Sequence, residues 1–263
     1  MALPKPAEHS SLWATICREA SAVAVAEPAF AAWMHEAVLN HDDLGGVLAH
    51  LIAVALGGGS DDRAMIRGLA AEAYRSTPSL IAVAQRDLAA PLERDPACPG
   101  PLHVLWHFKG YLALQAFRVS HRLWQRGRIE TARELQSRTS RTLHVSIHPS
   151  AQIGAGAFID HGTGIAIGQG VVIGDDVSML QGVSISGSPD DCSGAPQIGR
   201  GVLLAAGAII IGAIEIGDFA KIGAGSLVTS SVPEGCTAVG VPARLVNRQP
   251  DARPASTMDQ SLP

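Results

Sequence analysis

From residue 143 onward a large or branched aliphatic returns every six residues: Ile147, Ile153, Ile159, Ile165, Val171, Val177 and Val183, then Ile198, Leu204, Ile210, Ile216, Ile222 and Val228. Repetition at a fixed short period constrains the fold more than any composition does. A short strand with its turn occupies about six residues, and three such faces close one coil of a triangular prism. The aliphatic then points inward and stacks on its equivalents in the coils above and below. A β-sandwich does not fit, because its strands are longer and alternate with period two. Gly follows the aliphatic at Gly154, Gly199, Gly217 and Gly223, where a corner conformation open to glycine is expected. Ala155, Ala206 and Ala224 keep the corners narrow. The series skips between Val183 and Ile198, so residues 184–197 are expected to leave the prism as a loop. Loops on a rigid scaffold commonly carry binding function.

The first half is written differently. Up to Arg141, Ala, Leu, Glu and Arg dominate, and apolar residues recur three and four apart, as in Trp13, Ile16 and Cys17, in Phe30, Trp33 and Met34, and in Leu105, Phe108 and Leu112. Breaks are expected at Gly57-Gly58-Gly59, at Pro78 and across Pro91 to Pro101. The fold class is therefore α+β: an N-terminal α-helical domain over 1–141, then a parallel β-helix of hexapeptide repeats over 142–246 with its loop at 184–197. The segment 247–263 is polar and rich in proline and reads as a disordered tail.

Bulk properties remove several function classes. A net charge of −4 gives no reason to expect a nucleic acid or an anionic membrane as partner. The longest apolar run, Val47 to Leu56, is interrupted by His50 and is too short to span a bilayer. The start, MALPKPAEHS, lacks a signal pattern. Cys17, Cys98, Cys192 and Cys236 form no CxxC pair, which suits reduced thiols in the cytoplasm. A metal site of three histidines has only His144, His148 and His161 to draw on in the repeats, all in the first coils, so no metal is expected.

The segment Lys109 to Arg118, KGYLALQAFR, is similar to a helix of the bacterial serine O-acetyltransferases. So are Ile147-His148-Pro149, the run Asp160-His161-Gly162-Thr163-Gly164, Lys221 to Ser226 and Gly240 to Arg244. The resemblance runs over roughly residues 8 to 246 and implies a left-handed β-helix acyltransferase. It implies acetyl transfer from acetyl-CoA, as co-substrate, to the hydroxyl of serine or a serine-like amino alcohol. His161 matches the general base, and an imidazole titrates near neutrality. Asp95 and Asp160 match carboxylates that hold the substrate ammonium. Gly187, Ala206, Lys221 and Ala224 match positions along the CoA arm, with oxyanion donors near the Ser186-Gly187 turn. A homotrimer is implied, paired into a dimer of trimers.

Taken without the resemblance, each residue has a plainer reading. One His among ten is more often structural or solvated than catalytic. Asp95 before Pro96 suits a turn or a helix cap, and Lys221 a solvated prism face.

The chain departs from the family pattern in two places. Where the family has an aspartate that pairs with the histidine, this chain has Ser146. Where the family has Arg-His-Pro to receive a carboxylate, it has Gly194-Ala195-Pro196. His144 could replace part of the loss if the strand is regular there. Two alternatives follow from the departures: an acceptor with its carboxyl masked, such as a carrier-bound seryl group, or a non-catalytic binding or regulatory relative. The family's C-terminal Ile docks into the sulfhydrylase of cysteine synthesis. The ending Gln260-Ser261-Leu262-Pro263 lacks it, which argues against that complex, and the substitutions at Ser146, Gly194 and Ala195 argue against feedback inhibition by cysteine.

Overall fold

The structure is a computed structural model that describes residues 6–187, 194–249 and 251–261. Eight α-helices come first: α1 Pro6–Ala26, α2 Pro28–Met34, α3 Leu44–Leu56, α4 Ser60–Ser76, α5 Pro78–Arg94, α6 Pro101–His107, α7 Lys109–Gln125 and α8 Ile129–Leu143. Asp43 caps α3 by accepting the Gly46 N–H at 2.8 Å. The Gly57-Gly58-Gly59 break separates α3 from α4, and Pro78 opens α5 at a position where its missing N–H costs nothing. Pro91 does not break the chain as expected. It lies inside the last turn of α5, which continues to Arg94, because only one hydrogen bond is forfeited so near a helix end.

Beyond His144 the chain becomes a parallel β-solenoid with three faces. The first face holds β1 Val145–Ile147, β4 Ile165–Ile167, β7 Ser184–Ser186, β10 Ile209–Ile211 and β13 Leu227–Val228. The second holds β2 Gln152–Ile153, β5 Val172–Ile173, β8 Gln197–Ile198 and β11 Glu215–Ile216. The third holds β3 Phe158–Ile159, β6 Ser178–Met179, β9 Leu203–Leu204 and β12 Lys221–Ile222, closed by β14 Cys236–Gly240 and β15 Ala243–Arg248. All pairs are parallel except the β14–β15 hairpin, which ends the stack. The helices cover the other end, with α7 and α8 against β1 and β3. The hairpin thus closes the third face at one end, and the helices cover β1 and β3 at the other.

The core columns differ from the six-residue series in one instructive way. They are Ile147–Ile167–Ile185–Ile210–Val228, Ile153–Ile173–Ile198–Ile216–Val232 and Ile159–Met179–Leu204–Ile222–Ala238. Ile165, Val171, Val177 and Val183 are buried too, but they sit two residues before the column members. The register slips because the path from Ile159 to Ile167 is two residues longer than the equivalent path from Met179 to Ile185. That longer turn, 160–164, contains His161.

The corner glycines also act differently than expected. Gly154, Gly199 and Gly217 have ordinary φ angles; they are small because the next coil comes close. A Cβ on Gly154 would lie 2.5 Å from Asp175 Oδ1, and one on Gly217 would lie 2.4 Å from the Glu234 nitrogen. Positive φ falls instead at a corner stack of Gly164, Gly182, Gly207 and Gly225.

The loop expected over 184–197 is trimmed at both ends, since 184–186 form β7 and Gln197 begins β8. Residues 188–193, with Cys192, lie outside the described residues. The tail is not the disordered segment that its composition suggests. Residues 254–257 form a helical turn, α9, with Ala255 buried, and the Ser178 hydroxyl donates to the Ala255 carbonyl at 2.9 Å. Arg253 stacks over the Phe219 ring at 4.2 Å. These few anchors hold a polar segment that has no core of its own.

Candidate active site

Three segments meet at the helix-covered end of the third face. The strand β3 ends at Ile159 and leads into the long turn with Asp160 and His161. The helix α5 ends at Arg94, with Asp95 as its C-cap. The helix α7 begins at Lys109, and its first turn presses on β3 so closely that a Cβ on Gly110 would lie 2.2 Å from the Ile159 carbonyl oxygen. Only glycine allows that approach. A buried polar clamp fixes the two helices to the first coil. Asp87 on α5 and Arg118 on α7 form an ion pair at 2.6 Å, and both side chains are buried. Arg118 donates to the carbonyls of Ile153 and Gly154 at 3.0 and 2.8 Å. Asp87 accepts from the N–H groups of Gly156 and Ala157.

The cleft so formed has a volume of about 320 Å³ and brings together Asp95, Asp160 and His161, a size at the lower end for small-molecule sites. His161 stands on a left-handed backbone, φ 55°, with its side chain 73% exposed and Nε2 3.8 Å from Asp160 Oδ1. The Asp160 carboxyl is held above its usual range, first by burial, with His161 opposing the rise and Asp95 adding to it. One oxygen of Asp95 accepts the Ala97 N–H at 2.9 Å, so the helix-end turn and the cleft share this residue.

The same cleft is lined by residues that the sequence reading did not single out for chemistry: His103 and His107 on α6, and Lys109. The two imidazoles pack with ring centres 4.7 Å apart. Burial pushes the His107 imidazole below its usual value, and His103 adds to the effect. The i, i+4 spacing of His103 and His107 in a helical stretch was the available signal. The Lys109 ammonium hydrogen-bonds the Thr163 hydroxyl in the His161 turn, and among the described residues it has no carboxylate partner. A larger cavity of about 560 Å³ adjoins, between α1, α2 and α6, sharing His103 and His107. Its Glu19 carboxylate is occupied by the Leu102 N–H at 3.0 Å.

The remaining expected site residues lie elsewhere. Ala206 and Ala224 occupy the corner turns stacked under the His161 turn, linked through Gly207 N–H to Gln181 O and Gly225 N–H to Ala206 O. Lys221 is not a solvated cation. It is buried on the third face, and its ammonium bonds Asp259 at 3.3 Å and the Ser261 carbonyl at 2.6 Å. Gly187 follows β7, at the opposite end of the first-face strands from the His161 turn, so the single chain does not bring it to the cleft. Ser146 accepts from the Gln136 amide at 3.3 Å. His144 precedes the first strand as a left-handed helix cap, φ 58°, so strand alternation does not apply to it. Among the described residues no group of three His, Cys, Asp or Glu is placed to hold a metal ion, and no helix is long and apolar enough to cross a membrane.

Comparison with known proteins finds relatives that match over nearly the whole chain. The family model described as "Serine acetyltransferase, N-terminal" matches residues 12–116. The serine acetyltransferase of Haemophilus influenzae is 42% identical over 250 residues, covering 95% of this chain and 94% of that one. A soybean serine acetyltransferase complexed with serine superposes with a TM-score of 0.88 at 42% identity, over 92% of this chain and 100% of that one. A serine acetyltransferase from Brucella abortus in complex with coenzyme A gives 0.88 at 36% identity, over 90% and 96%.

Proposed function

The chain belongs to the serine acetyltransferase family, and from that premise we propose that it transfers the acetyl group of acetyl-CoA to the hydroxyl of serine in the cleft at His161. The observation that carries this reading is the presence, in one cleft, of an exposed imidazole and two carboxylates. The ammonium of serine sits against Asp95 and Asp160. Asp160 is disfavoured as a partly buried anion, and an incoming cation relieves that cost. The hydroxyl then faces His161. The imidazole takes its proton as the oxygen attacks the thioester carbonyl, and the tetrahedral intermediate collapses with departure of the CoA thiolate. That thiolate receives the proton from the imidazolium, so the products are O-acetylserine and CoA. Such a product suits the synthesis of cysteine.

The CoA arm lies along the corner column of Ala206 and Ala224, whose small side chains leave backbone exposed below the imidazole. Lys221 opens the strand that leads into the Ala224 corner. Backbone N–H groups at the Ser186-Gly187 turn reach the oxyanion only from a neighbouring copy, because within one chain they lie across the first face from His161. This supports a homotrimer with each site shared between two chains, in a cytoplasmic enzyme, with pairing of trimers as a further step. Neither a carboxyl-masked acceptor nor a non-catalytic role is needed.

The test is thiol release from acetyl-CoA with L-serine, by wild type and by His161→Ala. Turnover in the first and its loss in the second are expected. A wild-type protein that releases no thiol in the presence of L-serine overturns the reading.

A further inference from the structure

The cleft contains more charge than the reaction at His161 uses. Besides the Asp95 and Asp160 carboxylates, three basic side chains line it, Lys109, His103 and His107. A site for an uncharged or purely cationic acceptor has no use for them. An α-amino acid zwitterion does, since its carboxylate is bonded directly to the carbon bearing the ammonium and must be received in the same small volume. Removing a carboxylate from water without donors is costly, and donors of opposite charge give both affinity and selectivity.

Resting on the serine reading above, we infer that Lys109 is the specificity residue that receives the acceptor's carboxylate, with His107 as a second donor. Four observations bear on this. The Lys109 ammonium has no carboxylate partner among the described residues and is bonded only to a neutral hydroxyl, that of Thr163. Lys109 opens α7 at the point where Gly110 brings the helix onto Ile159, so its stem is fixed relative to Asp160. Its partner Thr163 belongs to the turn of His161, so the cation and the base are held in one frame. Where the resemblance implies a carboxylate receptor, Gly194 and Ala195 have no side-chain donor to compete for the role.

With the ammonium at Asp95 and Asp160, the hydroxyl at His161 and the carboxylate at Lys109, the acceptor is held at three points. Three fixed points distinguish mirror images, whereas two do not, so Lys109 also makes the enzyme selective for one enantiomer.

The experiment compares wild type, Lys109→Ala and Lys109→Arg with L-serine, D-serine and L-serine methyl ester, by calorimetric binding and by thiol release. For Lys109→Ala, KM and Kd for L-serine are expected to rise about 10- to 100-fold with kcat changed less than about threefold. Values for the methyl ester should shift less than about threefold, and the L to D preference should shrink. Lys109→Arg should recover most of the loss. Equal losses for serine and its ester, a fall confined to kcat, or unchanged serine binding would each overturn the inference, since a merely structural role at the turn predicts the first two. Binding of L-serine by wild type without thiol release refutes the proposed reaction while leaving the carboxylate assignment testable by the same titrations. Absence of L-serine binding refutes both.

Discussion

At the scale of single residues, Asp160 is where stability and function oppose each other. Burial holds its carboxyl above the usual carboxylate value of about 3.9. The folded state therefore binds that proton more tightly than the unfolded chain, and ionising Asp160 removes stability as pH rises from the unfolded value through the folded one. Asp160→Asn is expected to raise the Tm of the free protein at pH 7 by ~1–3 °C, while kcat/KM for serine falls at least about tenfold. A thermal scan and an acceptor titration on the same variant check both signs. The pH profile of kcat/KM for serine should show an acid limb above the ordinary aspartate range, because only the ionised form attracts the ammonium. His161→Ala should lower kcat by about 10²- to 10⁴-fold, the usual contribution of a positioned base, with little change in serine Kd.

At the scale of elements, the helical domain serves as the outer wall of the site, and two contacts seat it. Arg118→Ala leaves the Asp87 carboxylate buried without its cation, and removal of one partner of such a pair typically costs ~3–5 kcal/mol, readable as a lower urea midpoint. Gly110→Ala should gain slightly from helix propensity, but its methyl cannot coexist with the Ile159 carbonyl. The expected outcome is a displaced His161 turn and a drop in kcat of about tenfold or more, with helix content by circular dichroism unchanged. Both elements were legible in the chain in unequal measure. The aliphatic period disclosed the solenoid because each inward rung repeats the same physical demand. It misplaced the rungs Ile165 to Val183 by two residues, since they are buried as well and a period alone cannot say which buried member stacks. Asp95, Asp160 and His161 were found through a motif. Lys109, His103 and His107 were not, because no periodicity marks a side chain whose importance comes from what faces it across a cleft. The anchored tail was hidden for a similar reason: its composition is that of a disordered segment, and its order depends on Phe219, Ser178 and Lys221, each far away in sequence.

At the scale of the whole molecule, the proposed division of the site between two corners of the prism predicts its assembly. Gly187 and His161 lie at opposite ends of the first-face strands, so the proposed use of both in one site needs two chains. The protein is expected to sediment at three times 27.3 kDa or at twice that trimer. His161→Ala chains, mixed and refolded with Gly187→Val chains, should regain a fraction of wild-type thiol release although each variant alone is impaired. The Gly187 substitution acts because a Cβ there would lie 2.8 Å from the Gly194 carbonyl oxygen. No recovery in mixed oligomers would place the whole site in one chain. The lengthened turn at 160–164 also has a bearing on how such a molecule can change. The chain departs from the ladder for two extra residues and rejoins it in step at Ile167, so the coils that follow inherit no trace of the excursion. The reactive corner is a replaceable tip on a fixed tool, and its length and aim can drift without the handle being recut.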